Sequence, residues 1–214
     1  MTCSVSTLVS DIRVALDQNM SSTALSTLGD VDTLSLEEII NSKIEDAAEA
    51  VALKAPLAML SDVSEDITAT STLMQQNTRY VTTLGLPSDF LRLVRFRLNS
   101  WSRAVNEAYG IDSPLYAQAR SPYGIRGTVE RPLVFIIPSS LAGQKILEAY
   151  CGVSGDTIVD KLYVKKPTIN NSNIVLASLL KRPTVYYAAY LVALTLQDKD
   201  AAERLLGVCM TLLE

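Results

Sequence analysis

The stretch LPSDFLRLVRFRLNSW, residues 86–101, is the most informative part of the sequence for predicting the fold. It has the residue pattern of a strand, and it also contains three arginines and the chain's only tryptophan. The segment before it, RYVTTLGLP at 79–87, is also rich in β-branched and aromatic residues, which favour strands. Gly85 and Pro87 interrupt the two segments. The sequence therefore predicts two strands joined by a turn.

Alternation along the second strand is imperfect, because Arg95 and Arg97 share a face with apolar Leu91 and Leu93 in an unbroken register. One extra residue shifts the register of a strand and moves its side chains to the other face. A β-bulge near Leu93-Val94 would place the leucines and Phe96 together. We therefore expect an apolar face toward the core and the arginines on the opposite face.

The N-terminal part is predicted to be helical. Apolar residues recur at helical spacing from Ser6 to Asp17, and a second stripe runs from Leu36 to Pro56, which should end the helix. The second helix starts with a capping box, Ser35 to Glu38. Its outer face carries Glu37, Glu38, Glu45, Asp46 and Glu49, which indicates either a solvated face or a surface for a basic partner. Residues 57–78 suggest loop or short strand.

The remaining elements follow from local signals. Ser113-Pro114 predicts a short helix to Arg120, and RPLVFIIP (131–138), QKILEAYCGV and TIVDKLYVKKP predict three strands. After KRP, a helix should run to about Gln197, break at QDKD, and be followed by a last helix. Strands and helices are segregated, which predicts an α+β fold: a helical N-terminal arm and a C-terminal helix pair around a small, mainly antiparallel β-sheet.

Charge is segregated along the chain. The predicted acidic helical segment, 1–78, has a net charge of −9, whereas residues 79–131 have a net charge of +4 with arginine as the sole basic residue. The β-rich section spans 79–180, and the helix pair, 181–214, should pack on the same core. A net charge of −4 argues against a nucleic-acid footprint over the whole chain. Complementary segments within or between subunits explain the segregation.

Composition excludes several classes of protein. The chain has no histidine, which removes Ser-His-Asp and Cys-His catalysis, His-bearing zinc sites and the usual general base. Neither GxGxxG nor GxxxxGK[ST] occurs, and Asp198, Asp200 and Glu203 fit an acidic helix start better than a metal site. We expect no enzyme, no metal and no cofactor. The longest apolar run is too short for a membrane span, no secretory signal is expected, and the three cysteines suggest reduced thiols made in a cytosol.

The arginines leave three interpretations open. Arg92, Arg95, Arg97 and Arg103, interleaved with Phe96 and Trp101, could contact nucleic acid through phosphates and base stacking. Arginine with aromatic residues is also typical of protein–protein interfaces. The arginines could instead pair with local acids such as Asp89 or Glu107.

Three stretches carry a resemblance to a known family: LPSDFLRLVRFRLNSWSRAV, DSPLYAQARSPYGIRGTVERPLVFI and RPTVYYAAYLVALTLQDKDAAERLL. They resemble neck proteins of short-tailed bacteriophages, especially ring-forming proteins of the crAss-like phages of gut Bacteroidales. The shared pattern is LP-x-D-F-x-R-L with a Trp some ten residues on, a Y…G-x-x-G loop before a buried strand, and a YYAA helix. The resemblance spans roughly residues 79–210.

The resemblance implies a virion structural protein, a head-to-tail connector or adaptor in the neck and tail. Such proteins form homo-oligomeric rings, commonly of twelve subunits, that bind the portal and other tail or neck proteins and surround the DNA ejection channel. Contacts with the passing DNA would be non-specific, no membrane is involved, and the chain would be made in the cytoplasm of the host bacterium. The alternative is a nucleic-acid-binding module that uses the Arg-rich strand at 92–103. The interface candidates are Arg92, Arg95, Arg97, Trp101, Arg103, Tyr123, Arg126, Arg131, Glu37, Glu45 and Glu49.

Overall fold

The computed structural model describes residues 1–16, 35–68, 71–76, 79–121, 127–139 and 143–214, with the backbone alone described at 74–76 and 79. In these ranges five α-helices and eleven strands follow one another. They are β1 (Thr2–Ser4), α1 (Val5–Ala15), α2 (Leu36–Lys54), β2 (Ser64–Asp66), β3 (Ser71–Gln76), β4 (Arg79–Gly85), β5 (Phe90–Leu98), β6 (Tyr109–Gly110), α3 (Pro114–Arg120), β7 (Leu133–Pro138), β8 (Lys145–Gly152), β9 (Ile158–Lys165), β10 (Ile169–Asn170), β11 (Asn173–Val175), α4 (Lys181–Thr195) and α5 (Lys199–Thr211). Short 3₁₀ helices span Leu57–Leu60 and Ser178–Leu180.

The chain folds into two compact units. The helical unit comprises residues 1–63 and 166–214, and the β-rich unit comprises residues 64–165. Their compositions differ in charge: the helical unit has 8 basic and 14 acidic residues, a net charge of −6, and the β-rich unit has 11 basic and 9 acidic residues, a net charge of +2. Each unit contains buried apolar clusters of its own.

The helical unit is built on the predicted stripes. Helices α1, α2, α4 and α5 contribute apolar residues at spacings of three and four to one cluster, and small alanines on α2 and α4 let backbones approach closely. Its members include Leu8, Ile12, Ile40, Ile44, Ala47, Ala48, Ala188, Ala189, Val192, Ala202 and Leu205. The small sheet β1-β11-β10 lies in the same unit, with Thr2 opposite Val175.

The predicted helix boundaries are confirmed. Ser35 Oγ accepts the Glu38 backbone N–H at 3.3 Å, and Glu38 Oε2 accepts the Ser35 backbone N–H at 2.7 Å, which completes the capping box of α2. Helix α2 ends at Lys54, before Pro56. Between α4 and α5, Gln197 adopts a φ of 62°, and Asp198 caps α5 by accepting the Ala201 N–H at 3.0 Å. The acidic start of α5 is therefore a helix cap, as the sequence indicated.

The β-rich unit contains two sheets. One has the order β2-β9-β5, and the other has the order β3-β4-β8-β7-β6. Pairing is antiparallel throughout these sheets except for the parallel pair β6–β7. Both sheets contribute to one buried cluster that includes Leu84, Leu93, Phe96, Leu98, Trp101, Val134, Leu147 and Ala149. Helix α3 covers the other face of the five-stranded sheet with Tyr116 and Ala119, beside Phe135 and Tyr150.

Strand β5 has the predicted irregular register. Its pairing with β9 shifts between Leu93 and Arg95, which confirms the bulge expected near Leu93-Val94, and two further shifts occur along the strand. Phe90, Leu93, Phe96 and Leu98 are buried as a result. The turn at Leu86–Asp89, however, joins strands of different sheets, because β4 pairs with β3 and β8 whereas β5 pairs with β9. Both strands turn apolar side chains toward the same cluster, so they meet face to face and not edge to edge.

The α+β fold class and the mainly antiparallel pairing are confirmed. The expectation of a single small sheet is wrong, since the described residues form three sheets. The compact units also divide the chain at 63/64 and 165/166, whereas the predicted segments met at 78/79 and 180/181. The difference has a physical cause: β2 pairs with β9, which assigns residues 64–66 to the β-rich unit, and the terminal helices share their cluster with α1 and α2.

Candidate interface surface

The arginines of β5 have a carboxylate partner. Arg95 Nε and Arg97 Nε lie 3.2 and 3.1 Å from the same oxygen, Asp160 Oδ2, on the neighbouring strand β9. One carboxylate thus serves two guanidinium groups, and the trio keeps a net positive charge. The Arg95 and Arg97 side chains are 49% and 36% exposed and the Asp160 side chain is 21% exposed, with Asp160 Oδ2 and Arg97 Nε themselves buried, so water screens these ion pairs only in part.

The acids that the sequence suggested as local partners have other positions. Asp89 Oδ1 accepts a hydrogen bond from the Tyr163 hydroxyl at 3.2 Å, and Glu107 is exposed. Asp160 was missed because it lies far along the chain from β5 and is brought opposite Arg97 only by strand pairing. Arg92 is half-buried, opposite Val164.

Trp101 is a core residue. Its side chain is 2% exposed, its ring packs edge-on against Phe96 with 5.7 Å between centroids, and its Nε1–H donates to the Cys151 carbonyl oxygen at 3.2 Å. The interface role predicted for Trp101 is therefore wrong. In the sequence, a tryptophan close to arginines is typical of a protein–protein interface. In the structure, the bulge in β5 and the turn after it direct the ring toward the core.

Hydrogen bonds bring together three loops of the β-rich unit beside Trp101: the loop after β5, the loop before β7 and the loop between β8 and β9. The Ser102 backbone N–H donates to the Val129 carbonyl oxygen at 3.2 Å, and this bond joins the loop after β5 to the loop before β7. Arg103 and Arg131 are exposed, as are Val129 at 38% and Val153 at 46%. Two predicted interface residues, Arg103 and Arg131, are therefore brought to neighbouring loops.

Asp156 holds two of these loops together. Its Oδ2 accepts the Ser100 hydroxyl at 2.6 Å and the Val153 N–H at 2.8 Å, while its Oδ1 accepts the Ser100 N–H at 3.2 Å. The Asn99 N–H also donates to the Thr157 carbonyl oxygen at 2.9 Å. A carboxylate that accepts several hydrogen bonds fixes the backbone around it. This bridge joins residues more than fifty positions apart, so no local sequence signal indicates it.

A second backbone feature defines the loop before β7. Thr128 and Arg131 exchange backbone hydrogen bonds of 3.2 and 3.0 Å, and Thr128 Oγ1 also accepts the Arg131 N–H. Gly127 precedes this turn with a φ of 76°, and a Cβ at Gly127 would lie 2.6 Å from the Arg131 carbonyl oxygen. Glycine is required here, because a side chain would meet backbone. The side chain of Arg131 thus projects from a defined turn.

The acidic candidates on α2 are engaged within the helical unit. Glu37 pairs with Arg13 at 3.1 Å, Glu49 pairs with Lys166 at 2.8 Å, and Glu45 accepts the Ile169 backbone N–H at 2.6 Å. Each of these three residues therefore has a partner in its own unit, while the Glu37 side chain remains 52% exposed. Of the remaining candidates, Tyr123 and Arg126 lie outside the described residues.

A polar group lies beside α3 on the outer face of the five-stranded sheet. The Tyr150 hydroxyl donates to Glu148 Oε2 at 3.0 Å, and the Arg120 guanidinium donates to the Tyr116 hydroxyl at 3.3 Å. Burial, with the nearby Glu148 carboxylate, raises the pKa of Tyr150 well above its ordinary value. The phenol therefore stays protonated at neutral pH, which suits a structural hydrogen bond.

The described ranges contain neither a metal-binding group nor a membrane-spanning helix. In the ranges that the structure describes, no three His, Cys, Asp or Glu side chains are grouped to hold a metal ion. No disulfide bond joins Cys3, Cys151 and Cys209 to one another. Across the same ranges no helix combines the length and the apolar character that crossing a bilayer requires.

No protein-family model matches this chain, and no curated protein matches it either. The likeness to phage neck proteins therefore depends on the three sequence stretches given above. Those stretches lie on β5 and the loop after it, on α3 and β7, and on α4 and α5.

Proposed function

We propose that this chain is a virion structural protein, a subunit of the neck ring that links the portal and tail of a short-tailed bacteriophage and surrounds the DNA ejection channel. The observation that carries the proposal is the division of the chain into two compact units with net charges of −6 and +2. A ring joins two different faces of each subunit, and faces of opposite charge attract and align one another.

Further support comes from the resemblance over residues 79–210 and from the exposed arginines of the β-rich unit. Arg95 and Arg97 with their shared Asp160 keep a positive charge that a portal, a tail protein or passing DNA can contact weakly. The ring would contain twelve subunits, as in the family resembled. The protein would be made in the cytoplasm of the bacterial host and would be located in the neck of the virion.

The assembly state of the purified full chain tests this proposal. Sedimentation and negative-stain electron microscopy should show closed rings, either of the chain alone or after addition of the portal protein encoded with it. Because the contact joins opposite charges, association should weaken as salt rises from about 0.05 to 0.5 M. A chain that stays monomeric and does not bind the portal protein at low salt would overturn the proposal.

The second candidate function is a nucleic-acid-binding module on the strand at 92–103. It is favoured by one observation, that two guanidinium groups of β5 share a single carboxylate and so keep an uncompensated positive charge. Anisotropy of labelled DNA should then show binding that falls steeply with salt and weakens in Arg95→Ala and Arg97→Ala. Arg182→Ala, an exposed arginine of the helical unit, is the control. Absence of DNA binding at low salt in the wild type would dismiss this function.

A further inference from the structure

A groove of about 450 Å³ lies between α1 and α4 of the helical unit. Its lining residues recur at spacings of three and four on each helix, so they form one stripe of α1 and one stripe of α4. They include Asp11 and Val14 on α1, and Lys181, Arg182, Val185 and Tyr186 on α4. Pockets that bind small organic ligands measure about 300–1,000 Å³, so the groove is large enough for such a ligand.

The charged groups of the groove leave one cation available. Among the described lining residues, two cations and one carboxylate give a net charge of +1, in a unit whose net charge is −6. Lys181 Nζ lies 2.8 Å from Asp11 Oδ2, so these two charges neutralise one another. Arg182 is exposed and forms no hydrogen bond or ion pair with any described residue. Its guanidinium is therefore the group that a negatively charged ligand can reach.

The other lining side chains are mainly apolar. Val14 is 63% exposed, Val185 is buried, and the Tyr186 side chain is half-buried. An apolar group that covers Val14 removes this surface from water, which is favourable. The groove thus combines an unpaired guanidinium with an apolar surface, and this combination suits a ligand that has an anionic head and an apolar body.

We propose that the groove between α1 and α4 binds a small monocarboxylate with an aliphatic body, such as a medium-chain fatty acid. The carboxylate accepts two hydrogen bonds from the Arg182 guanidinium, in the paired geometry that arginine and carboxylates favour. The aliphatic chain covers Val14 and the Tyr186 ring. One negative charge matches the net charge of the groove, whereas a second one would be repelled by Asp11. This site goes beyond the proposed ring function and does not depend on it.

Octanoate is the probe, because it has one charge and an aliphatic chain and is monomeric in solution at millimolar concentration. Isothermal titration calorimetry of the full chain should show that octanoate binds. Acetate and octanol should each bind at least about tenfold more weakly, since acetate lacks the chain and octanol lacks the charge. Suberate, a dicarboxylate of the same length, should also bind more weakly, because its second charge meets the apolar part of the groove.

Single substitutions in the groove give the sharper test. Arg182→Gln should weaken octanoate binding at least about tenfold, because the charged hydrogen-bond donor is lost. Val14→Ser should weaken binding a few-fold through the loss of apolar contact. Asp11→Asn should strengthen binding a few-fold, because a negative charge near the carboxylate is gone. Arg204→Gln, at an exposed position of α5 that does not line the groove, is the matched control and should keep the wild-type affinity.

Circular dichroism and thermal melts check that each variant folds. The gain of affinity in Asp11→Asn does not follow from damage to folding. A photoreactive diazirine analogue of octanoate then locates the site, and mass spectrometry should find the label in peptides that contain residues 11–15 or 181–186.

The inference is overturned if octanoate does not bind the wild type, if Arg182→Gln binds it equally well, or if the label is found only in other peptides. Equal affinity for octanol also overturns it, because the guanidinium then contributes nothing. None of these results bears on the ring, whose test is the assembly of the full chain with or without the portal protein.

Discussion

The helical and β-rich units use their charges differently. In the helical unit the acidic residues that stand out in the sequence are tied to local partners, such as Glu49 to Lys166 and Glu45 to the Ile169 N–H. In the β-rich unit two arginines share Asp160, and Arg103 and Arg131 are exposed on loops. The comparison teaches that a count of charges along a chain does not identify the charges that a partner can reach.

The two cores also differ in construction. The helical unit is held by many small and medium side chains on periodic stripes, with Ala47, Ala48, Ala188 and Ala189 fully buried. The β-rich unit depends on a few large rings, in which Phe96 contacts Trp101 and Phe135 contacts Tyr150. A loss of one ring in the β-rich unit should therefore cost more than a loss of one helix cap in the helical unit.

The largest expected effect is that of Trp101→Ala, which leaves a cavity and removes the hydrogen bond from the Trp101 Nε1–H to the Cys151 carbonyl oxygen. It should lower the free energy of unfolding by about 3–5 kcal/mol, and hydrogen exchange should speed up within residues 64–165. Ile44→Ala, a fully buried residue of α2, is the counterpart in the helical unit and should speed up exchange there. Faster exchange over the whole chain in both variants would show that the units do not unfold separately.

A smaller effect is expected from Ser35→Ala, which removes the capping box of α2. Loss of an N-cap costs about 1 kcal/mol of stability. Ser42→Ala is the matched control, since the Ser42 hydroxyl bonds only the Ile39 carbonyl oxygen inside the same helix, where alanine is favourable. Urea unfolding should separate the two variants. Equal stability of both would contradict the role of the cap.

Asp160→Asn removes the carboxylate that Arg95 and Arg97 share and should lower stability by about 1 kcal/mol, because both guanidinium groups are partly exposed and water screens the pairs in part. Its effect on DNA binding is more informative. If the strand binds nucleic acid, affinity at low salt should rise, since a negative charge beside two arginines is gone. Glu65→Gln, which breaks the Glu65–Lys165 pair on the same sheet, is the control. An affinity that stays unchanged would argue against DNA binding by this strand.

The smallest effect is a loss of stability in acid that concerns the helical unit. The backbone N–H of Ser35 lowers the pKa of Glu38, and the backbone N–H of Ser178 lowers the pKa of Asp62. A carboxyl group whose pKa is lowered by folding stabilises the protein above its ordinary pKa, about 4, and this contribution is lost as the pH falls through the folded value. Urea unfolding at decreasing pH should show the loss. Glu38→Gln should flatten that dependence, and an unchanged pH profile would remove Glu38 from the explanation.

Much of the local structure was predictable because its signals lie within a few residues. The capping box at Ser35, the end of α2 before Pro56 and the break between α4 and α5 each follow from neighbouring side chains. The bulge near Leu93-Val94 followed from the mismatch of apolar and charged positions. The interface candidates were less predictable: Trp101 is buried, and the α2 glutamates have partners in their own unit.

By itself the sequence determined the α+β class, the approximate boundaries of the helices and of five of the eleven described strands, and the excess of acid in one part and arginine in another. The tertiary structure decided which strands share a sheet, that Asp160 lies between Arg95 and Arg97, and that the loops carrying Arg103 and Arg131 are joined by a backbone hydrogen bond. The physical reason is range. Caps, stripes and bulges depend on residues close along the chain, whereas sheet order and surface composition depend on pairings between residues far apart in sequence, such as Arg97 with Asp160.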